Sequence, residues 1–513
     1  MPKEATTRDP VTVNGEIVRG RDSTSMSEIF QQDDENKFSG VIPSEPTEVC
    51  DDKYATFVKW LQDNNAIFPK LELRDYGNEV RGCHSVTNIE EEEVIIQIPL
   101  KCLITVEMGR DTPIGRKIIN SNIELDAPKH LFLMLFLLID CKNPDSFFKP
   151  YYDILPQSLS NMPIFWTEDE LGFLEGSYMI QQIKERSAAI ENDYFSILSV
   201  VPEIALYCNL EKFKWARMCV CSRNFGLIVN GLRTAALVPY ADMLNHYRPR
   251  ETKWQFDDSI QGFTITSLQQ IHTGAQVYDS YGQKCNHRFL LNYGFSIDDN
   301  SEPDGFCPNE VPILLSLYET DNLYGRKCDL NSKEPCFPNR RLRICVSDNE
   351  STRLMFAMLR IIVADGKDMD QIFSSSGSYK AIRDAQIAVN IVNELKALEL
   401  LKSTCENLLN AYPATLLDDE RKLRSQDIAP FSNQRHAIIQ VKGEKIVLHH
   451  YIDLATTAID LIKAPDNKVF EDMMSDIKNT KNSLLIQYCR TTIGRLRLES
   501  SKKNESSRMK FLW

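Results

Sequence analysis

Apolar residues recur along the chain with two different periods, and the period changes between segments. Phe57, Trp60 and Leu61 are three and four residues apart, which places them on one face of a predicted helix. Residues 94–99 are instead β-branched and bounded by acidic residues and proline, a pattern typical of a strand. The first ordered part of the chain is therefore predicted to be a helix followed by a small β unit, with a tight turn at Gly82.

The pattern becomes helical between about residues 112 and 220. Residues 131–139 are all apolar, a run too short to span a bilayer, which indicates a buried helix. Thr167 is the expected N-cap of a short helix, because Glu170 follows three residues later. Strands are predicted again over residues 235–239, 254–256, 263–268 and 276–278. We interpret the helical stretch as an insertion between two β-rich parts.

The C-terminal part is predicted to be a separate helical domain. Five prolines lie between residues 300 and 345, which is typical of a domain boundary. From Ile391 to Tyr412 apolar residues recur every three or four positions, and this stripe is interpreted as core packing. The predicted organisation is a disordered arm at 1–48, an α+β domain at 50–300 with its helical insertion at about 112–220, a helical domain at 301–465, and a polar to basic tail at 466–513.

Composition narrows the class of protein. The chain has 72 acidic and 59 basic residues, a net charge of −13, which argues against a nucleic-acid partner. Its 14 cysteines are scattered and the first 22 residues are polar, so we expect reduced thiols and a location in the cytoplasm, the nucleus or both. Cys219 and Cys221 have no second pair at metal-binding spacing, so no metal site is predicted. We expect a monomer without a membrane partner.

Common catalytic signatures are missing from the sequence. There is no phosphate-binding glycine loop, nucleophile elbow or zinc-binding His-Glu-x-x-His helix. What remains is an ordered set of short motifs, each weak alone. The set consists of Arg81-Gly82, Arg223, Asn245-His246, Tyr278 with Tyr281-Gly282, and Tyr293-Gly294-Phe295.

This ordered set resembles the SET-domain protein methyltransferases, in the branch typified by the Rubisco large-subunit lysine methyltransferase and the actin histidine methyltransferase. The resemblance covers roughly residues 50–465. Residues 408–420 and 442–448 are similar to recurring segments of that branch's substrate-binding domain, and residues 147–156 and 165–177 to its inserted helical region. The resemblance implies an α+β fold, in which a SET domain of small β-sheets with a helical insertion precedes an all-α Rubisco-methyltransferase-type substrate-binding domain.

The resemblance also implies a chemistry. S-adenosylmethionine would be the cofactor, and its methyl group would pass to a nucleophilic nitrogen in one in-line displacement, which needs positioning and a desolvated channel. Tyr281 would be the catalytic phenol, and Arg223 would hold the cofactor carboxylate through a forked ion pair. The implied cofactor-binding residues are Glu79, Val80, Arg81, Arg223, Asp242, Asn245, His246, Tyr293, Gly294 and Phe295. The implied substrate-binding residues are Phe225, Ala241, Asp242 and Tyr278.

Departures from the family pattern bear on the acceptor. Phe225 and Ala241 stand where the actin enzyme has asparagine and tryptophan, and both positions look more like those of the lysine-modifying members. We therefore predict a lysine of a protein substrate as acceptor. Two alternatives stay open, namely a histidine of actin and a catalytically silent SET-fold binding module. Val80 replaces a frequent glycine, and His130 stands where the actin enzyme has asparagine.

Overall fold

The computed structural model describes residues 47–49, 51–77, 81–330, 339–373, 387–480 and 482–500. Apart from Thr47 and Glu48, the predicted arm lies outside the described residues. The strands are β1 (Thr47–Glu48), β2 (Leu71–Asp75), β3 (Arg81–Ser85), β4 (Val94–Pro99), β5 (Ile104–Thr105), β6 (Asn224–Val229), β7 (Leu232–Leu237), β8 (Asn245–His246), β9 (Thr252–Asp257), β10 (Gly262–Ser267), β11 (Gln276–Asp279), β12 (Glu310–Ser316) and β13 (Asn339–Cys345).

Helices alternate with these strands and dominate the C-terminal part. They are α1 (Asp52–Asp63), α2 (Val106–Asp111), α3 (Pro113–Ser121), α4 (Pro128–Asp140), α5 (Lys149–Tyr152), α6 (Glu168–Gly172), α7 (Met179–Val200), α8 (Leu210–Arg223), α9 (Asn286–Tyr293), α10 (Tyr324–Asp329), α11 (Glu350–Ile362), α12 (Gly366–Phe373), α13 (Ile391–Leu409), α14 (Leu416–Arg424), α15 (Asn433–Lys463), α16 (Asn467–Lys478) and α17 (Ser483–Tyr488). Within the described residues, no helix is both long enough and apolar enough to cross a membrane.

The first domain is built from small sheets. One sheet has the order β1-β2-β3-β11-β8, and two three-stranded sheets have the orders β4-β10-β9 and β5-β7-β6. Strand β11 pairs antiparallel with β3 and parallel with β8. Arg81 and Gly82 lie inside β3, so the turn predicted at Gly82 is wrong. Because β3, β8 and β11 are neighbours, motifs that are far apart in sequence share one sheet.

Two predicted features of the insertion are confirmed. Helix α4 is buried over its apolar run, since Leu133 and Met134 have no exposed surface. Helix α6 begins with the predicted capping box, in which Thr167 and Glu170 exchange hydrogen bonds with each other's backbone N–H groups. These features were predictable because a helix period and a cap are local properties of the sequence.

The second domain packs helices α13 and α15 around an apolar core. The stripe predicted over residues 391–412 is confirmed in α13, where Leu398, Leu401 and Cys405 are buried. The antiparallel pair of β12 and β13 adds a small sheet to this mainly helical domain. Leu484, Tyr488 and Ile493 pack into the same core, so residues up to Ile493 belong to the folded domain instead of forming the predicted tail from residue 466.

The two domains meet at a buried carboxylate. Glu444 of α15 accepts hydrogen bonds from the Ser177 hydroxyl at 2.6 Å, from Gln440 at 2.6 Å and from the Tyr412 hydroxyl. Ser177, Tyr412 and Glu444 lie in three of the segments on which the family resemblance rested. A buried carboxylate is stable only when its oxygens are satisfied, so these contacts fix the insertion against the second domain.

Candidate active site

Strands β3, β8 and β11 hold the first group of predicted site residues. In the parallel pairing, Asn245 lies opposite Tyr278, and His246 lies opposite Asp279. The Asn245 side-chain amide donates to the Arg81 carbonyl at 2.7 Å, across 164 residues of sequence. The Gln276 side chain fills the space beside Gly82, so that a Cβ at position 82 would lie 2.5 Å from the Gln276 Oε1. The sheet therefore brings Arg81 and Asn245 into direct contact.

Tyr281 follows β11 directly and is fixed at both ends. Its backbone N–H donates to His246 Nδ1 at 2.9 Å, and its hydroxyl donates to the Leu244 carbonyl at 2.9 Å. Its ring stacks on His246 with centroids 5.1 Å apart and on Tyr293 with centroids 4.8 Å apart. Phe295 closes the cluster, with its ring centroid 6.3 Å from that of Tyr281. The structure thus joins the motifs around His246, Tyr281 and Tyr293 into one site.

The protonation states at this cluster follow from burial. Burial raises the pKa of Tyr281, and the nearby Asp279 carboxylate raises it further, so the phenol stays neutral. Burial, with help from Arg248, lowers the pKa of His246 to about 3, so the imidazole is neutral as well. Because His246 Nδ1 accepts a hydrogen bond, the ring proton lies on Nε2. The one hydroxyl proton of Tyr281 is donated to the Leu244 carbonyl, so the phenol oxygen can only accept a hydrogen bond from another group, and the phenol cannot serve as a general base near neutral pH.

Gly294 ends helix α9 against the inserted region. Its φ of +80° is left-handed, and a Cβ there would lie 2.3 Å from the side-chain nitrogen of Asn161. This close approach holds the flanking rings, Tyr293 and Phe295, beside His246 and Tyr281. Burial raises the pKa of the Tyr293 hydroxyl to about 12, so this ring is neutral too.

A group of charges lies beside the aromatic cluster. Arg223, the last residue of α8, places Nη1 at 3.0 Å from Asp242 Oδ2, whose side chain has no exposed surface. Burial raises the pKa of Asp242, and the Arg223 charge opposes this rise. Burial and, to a smaller extent, the nearby Arg223 charge together lower the pKa of Arg81 to about 10. Two guanidinium groups thus accompany one carboxylate, which leaves an excess of positive charge suited to an anion.

The unsatisfied polar atoms of the site fit the predicted cofactor. Within the described parts of the chain, Arg223 Nε, Asp242 Oδ1 and His246 Nε2 are buried without a hydrogen-bond partner. Such atoms are costly unless a bound molecule or water satisfies them. The carboxylate of S-adenosylmethionine matches the excess positive charge of the site, and its amino group matches the Asp242 carboxylate. Its adenine ring matches the aromatic rings of Tyr293 and Phe295.

The predicted substrate-binding residues lie in two different surroundings, one beside the Asp242 carboxylate and one among aromatic side chains. Ala241 is buried in the 3₁₀ turn Ala241–Met243, next to Asp242. Tyr278 is buried on β11, with its ring centroid 5.6 Å from that of Tyr247. Phe225 packs edge-on against Trp254 and Phe263 at 5.5 Å and 5.0 Å, in the core between sheets. Glu79 and Val80, predicted to contact the cofactor, lie outside the described residues.

Sequence reasoning missed three features that shape the site. The Tyr151 hydroxyl donates to Asp242 Oδ2 at 2.8 Å from the helical insertion. Asp279 is a buried carboxyl group whose pKa burial raises to about 6. Tyr240, just before the 3₁₀ turn, adopts φ +76° and ψ −46°, a strained conformation for a bulky residue. Residues 147–156 carried a family-like pattern, but nothing in it indicated that Tyr151 meets Asp242.

One further cluster has the composition of a metal site. The ligand atoms of Cys285, His287 and Glu310 lie within 4.8 Å of one another. Arg343 Nη1, however, lies 2.8 Å from His287 Nε2 and 3.0 Å from Glu310 Oε1. A guanidinium that already occupies these acceptors opposes a cation there, so the cluster is a buried polar network near the domain junction.

Comparisons with known proteins agree with this architecture. Residues 318–448 match the family model described as Rubisco LSMT substrate-binding. The actin-histidine N-methyltransferase of Papio anubis is 25% identical over 419 residues, which cover 79% of this chain and 68% of that protein. The enzyme of the same name from Gallus gallus is 24% identical over 425 residues, with 80% and 69% covered.

Solved structures of Rubisco LSMT share the fold. The SET domain of LSMT bound to lysine and AdoHcy superposes with a TM-score of 0.67 at 22% identity, covering 84% of this chain and 97% of that chain. Rubisco LSMT bound to AdoMet gives a TM-score of 0.65 at 22% identity, covering 85% and 99%. The predicted SET fold with a C-terminal substrate-binding domain is thereby confirmed. The resemblance to the SET-domain protein methyltransferases of the Rubisco LSMT branch is likewise confirmed, and it supports a methyltransferase activity for this chain.

Proposed function

We propose that this chain is an S-adenosylmethionine-dependent protein methyltransferase that modifies a lysine side chain. The observation that carries the proposal is the convergence of the neutral Tyr281 phenol, the neutral His246 ring and the Arg223–Asp242 pair at one sheet edge. The solved LSMT structures that share the fold hold AdoMet or AdoHcy, which supports the cofactor. When bound, S-adenosylmethionine supplies an electrophilic methyl group on a sulfonium.

The chain's own residues would hold the cofactor from two sides. Arg223 and Arg81 provide the positive charge for its carboxylate, and the unpartnered Asp242 Oδ1, within the described residues, is an acceptor. Asn245 and His246 would lie along its amino group and adenine. The rings of Tyr293 and Phe295 would cover the adenine and exclude water from it.

Tyr281 would orient the acceptor nitrogen without moving a proton. Its hydroxyl is held by the Leu244 carbonyl and its ring lies between His246 and Tyr293, so its position is fixed before any substrate enters. Burial raises the pKa of Tyr281, so the phenol cannot remove a proton from an ammonium. The acceptor amine must therefore already be neutral when it attacks.

Two sets of residues favour lysine as the acceptor. Phe225 and Ala241 differ from the asparagine and tryptophan expected of the actin enzyme. Asp279 is a buried carboxyl group two residues before Tyr281, and burial raises its pKa only to about 6, so it is largely ionised at neutral pH. A negative charge close to Tyr281 attracts a side chain that arrives as an ammonium more than a neutral imidazole, and the ammonium must then release its proton to solvent before the amine attacks.

Mass spectrometry of a native extract treated with the protein and labelled S-adenosylmethionine tests the proposal. We expect the label on a lysine nitrogen of a protein. Label on a histidine would refute the lysine assignment but keep the methyltransferase. Failure to bind S-adenosylmethionine in calorimetry would refute the enzyme itself and leave the binding-module alternative.

A histidine of actin is the second candidate acceptor. The relatives that share 24–25% identity with this chain are named actin-histidine N-methyltransferases. Purified actin provides the direct test, in which the rate of methyl transfer to its histidine is compared with the rate of transfer to lysines of protein substrates. A higher rate on the actin histidine would establish this alternative in place of the lysine activity.

A further inference from the structure

We propose that Tyr151, carried by the helical insertion, is a positioning residue that fixes Asp242 and, through it, the Arg223 guanidinium on the cofactor side. The inference rests on the proposed function and deepens it, because it assigns a role in cofactor binding to a residue outside the motifs. It also gives the insertion a direct part in the site.

Three side chains form the contact. The Tyr151 hydroxyl donates to Asp242 Oδ2 at 2.8 Å, and Arg223 Nη1 donates to the same oxygen at 3.0 Å. Arg223 Nη1 also lies 3.4 Å from the Asp242 carbonyl. Tyr151 is completely buried, and so is the Asp242 side chain. One carboxylate oxygen is therefore held from two directions by donors on α5 and α8.

Packing against helix α1 fixes the Tyr151 ring independently of Asp242. This ring packs on Phe57 of α1 with centroids 6.1 Å apart. The same Phe57 ring lies 6.4 Å from Tyr240, the strained residue two positions before Asp242. Phe57 thus braces both the hydroxyl donor and the backbone that presents the carboxylate, so the phenol is preorganised and loses little entropy when it binds Asp242.

The charge balance explains why this orientation matters. Arg223 is paired with Asp242 and Arg81 is near enough to feel both charges, and among the described residues Arg223 Nε and Asp242 Oδ1 remain without hydrogen-bond partners. If Asp242 were free to rotate, it could take more of the Arg223 donors and cancel the charge meant for an anionic ligand. The Tyr151 hydroxyl opposes that rotation, because a charge-assisted hydrogen bond to Oδ2 is directional. The guanidinium edge that is left serves the cofactor carboxylate.

The Tyr151→Phe protein tests this role, with Tyr152→Phe as the matched control. Tyr152 is the neighbouring residue, and its hydroxyl donates to Asp140 Oδ2 at 2.8 Å, outside the site. Calorimetry with S-adenosylmethionine should show a Kd raised about tenfold for Tyr151→Phe, the loss expected from one charge-assisted hydrogen bond. The KM for the cofactor should rise in parallel, with kcat within about twofold of wild type. Tyr152→Phe should leave the cofactor Kd and KM unchanged.

A double-mutant cycle separates positioning from general stability. In an Asp242→Asn background, Tyr151→Phe should change the cofactor Kd by less than about twofold, because the hydroxyl acts through the carboxylate. An unchanged Kd in Tyr151→Phe alone, or an equal loss in Tyr152→Phe, would overturn the inference while the proposed function stands. A wild-type protein that does not bind S-adenosylmethionine would instead count against the proposed function.

Discussion

Replacing Tyr281 by phenylalanine removes one hydroxyl from the centre of the candidate active site and keeps the ring. The stacking on His246 and Tyr293 depends on the ring alone, so the aromatic cluster should persist. The Leu244 carbonyl loses its donor, which costs about 1–3 kcal/mol of folding stability if no water replaces it. Because the phenol is proposed to orient the acceptor nitrogen, we expect kcat to fall about 100-fold or more.

The assay compares methyl transfer with cofactor binding in the same preparations. Tyr281→Phe should bind S-adenosylmethionine within about threefold of wild type, since Arg223 and His246 are untouched, while its kcat falls. Tyr194→Phe is the control, because it also deletes a buried tyrosine hydroxyl, one that lies 3.4 Å from the Cys208 carbonyl. Full methylation by Tyr281→Phe, or an equal loss in Tyr194→Phe, would refute the assignment of Tyr281.

Three further changes test the surroundings of the site. Arg223→Met leaves the Asp242 carboxylate buried without its ion-pair partner, so we expect about 3 kcal/mol less stability in denaturant titration and loss of cofactor binding in calorimetry. Gly294→Ala should lower stability by about 2 kcal/mol or more, whereas Gly77→Ala, also at positive φ but with open space around it, should cost about 1 kcal/mol. Burial raises the pKa of Asp279 from 3.8 to about 6. Between pH 3.8 and 6 the Asp279 carboxyl is therefore protonated in the folded state and ionised in the unfolded state, so the folded state loses stability as the pH rises through this range. Asp279→Asn should therefore lose less stability than wild type between pH 4 and 7, a difference on the order of 2–3 kcal/mol in unfolding measurements; identical pH profiles would contradict this.

How much of the fold could be predicted depended on how local each feature is. The apolar run of α4, the capping box at Thr167 and the stripe of α13 are written within a few turns of one helix, so the sequence sufficed. The strands β12 and β13 are not predicted by the sequence pattern, because Pro312 lies inside β12 and is one of the five prolines that indicate a domain boundary. In a two-stranded sheet a proline is tolerated, since each strand has an unpaired edge.

The end of the second domain was misjudged for a different reason. Residues 490–500 carry many charges, which favoured a solvated tail. Leu484, Tyr488 and Ile493 nevertheless pack into the core, and Arg497 donates to the Leu461 and Ala464 carbonyls at the end of α15. The net composition of a segment averages over all faces of its helix. It therefore does not reveal that a short terminal helix packs one apolar face against the core.

The candidate site was predicted as a set of residues but not as a geometry. Its motifs could be ordered along the chain, and the resemblance supplied their implied roles, yet no local pattern relates Tyr151 to Asp242 across 91 residues. Pairings of this kind arise from the tertiary arrangement of insertion and sheet. They are visible only once α5 and α8 are placed around the 3₁₀ turn.

Tyr240 shows why the site escapes rules based on local preference. A tyrosine at φ +76° contradicts backbone propensity, at a cost on the order of 1–3 kcal/mol. Its ring stacks on Phe68 with centroids 3.9 Å apart, so packing holds the residue in this conformation. The turn that results presents Asp242 to Arg223 and Tyr151 and continues into Asn245 and His246. The strained backbone of Tyr240 and the buried charge of Asp242 therefore lie together, between the residues proposed to bind the cofactor and Tyr281. Departures from local backbone preference are expected at functional sites.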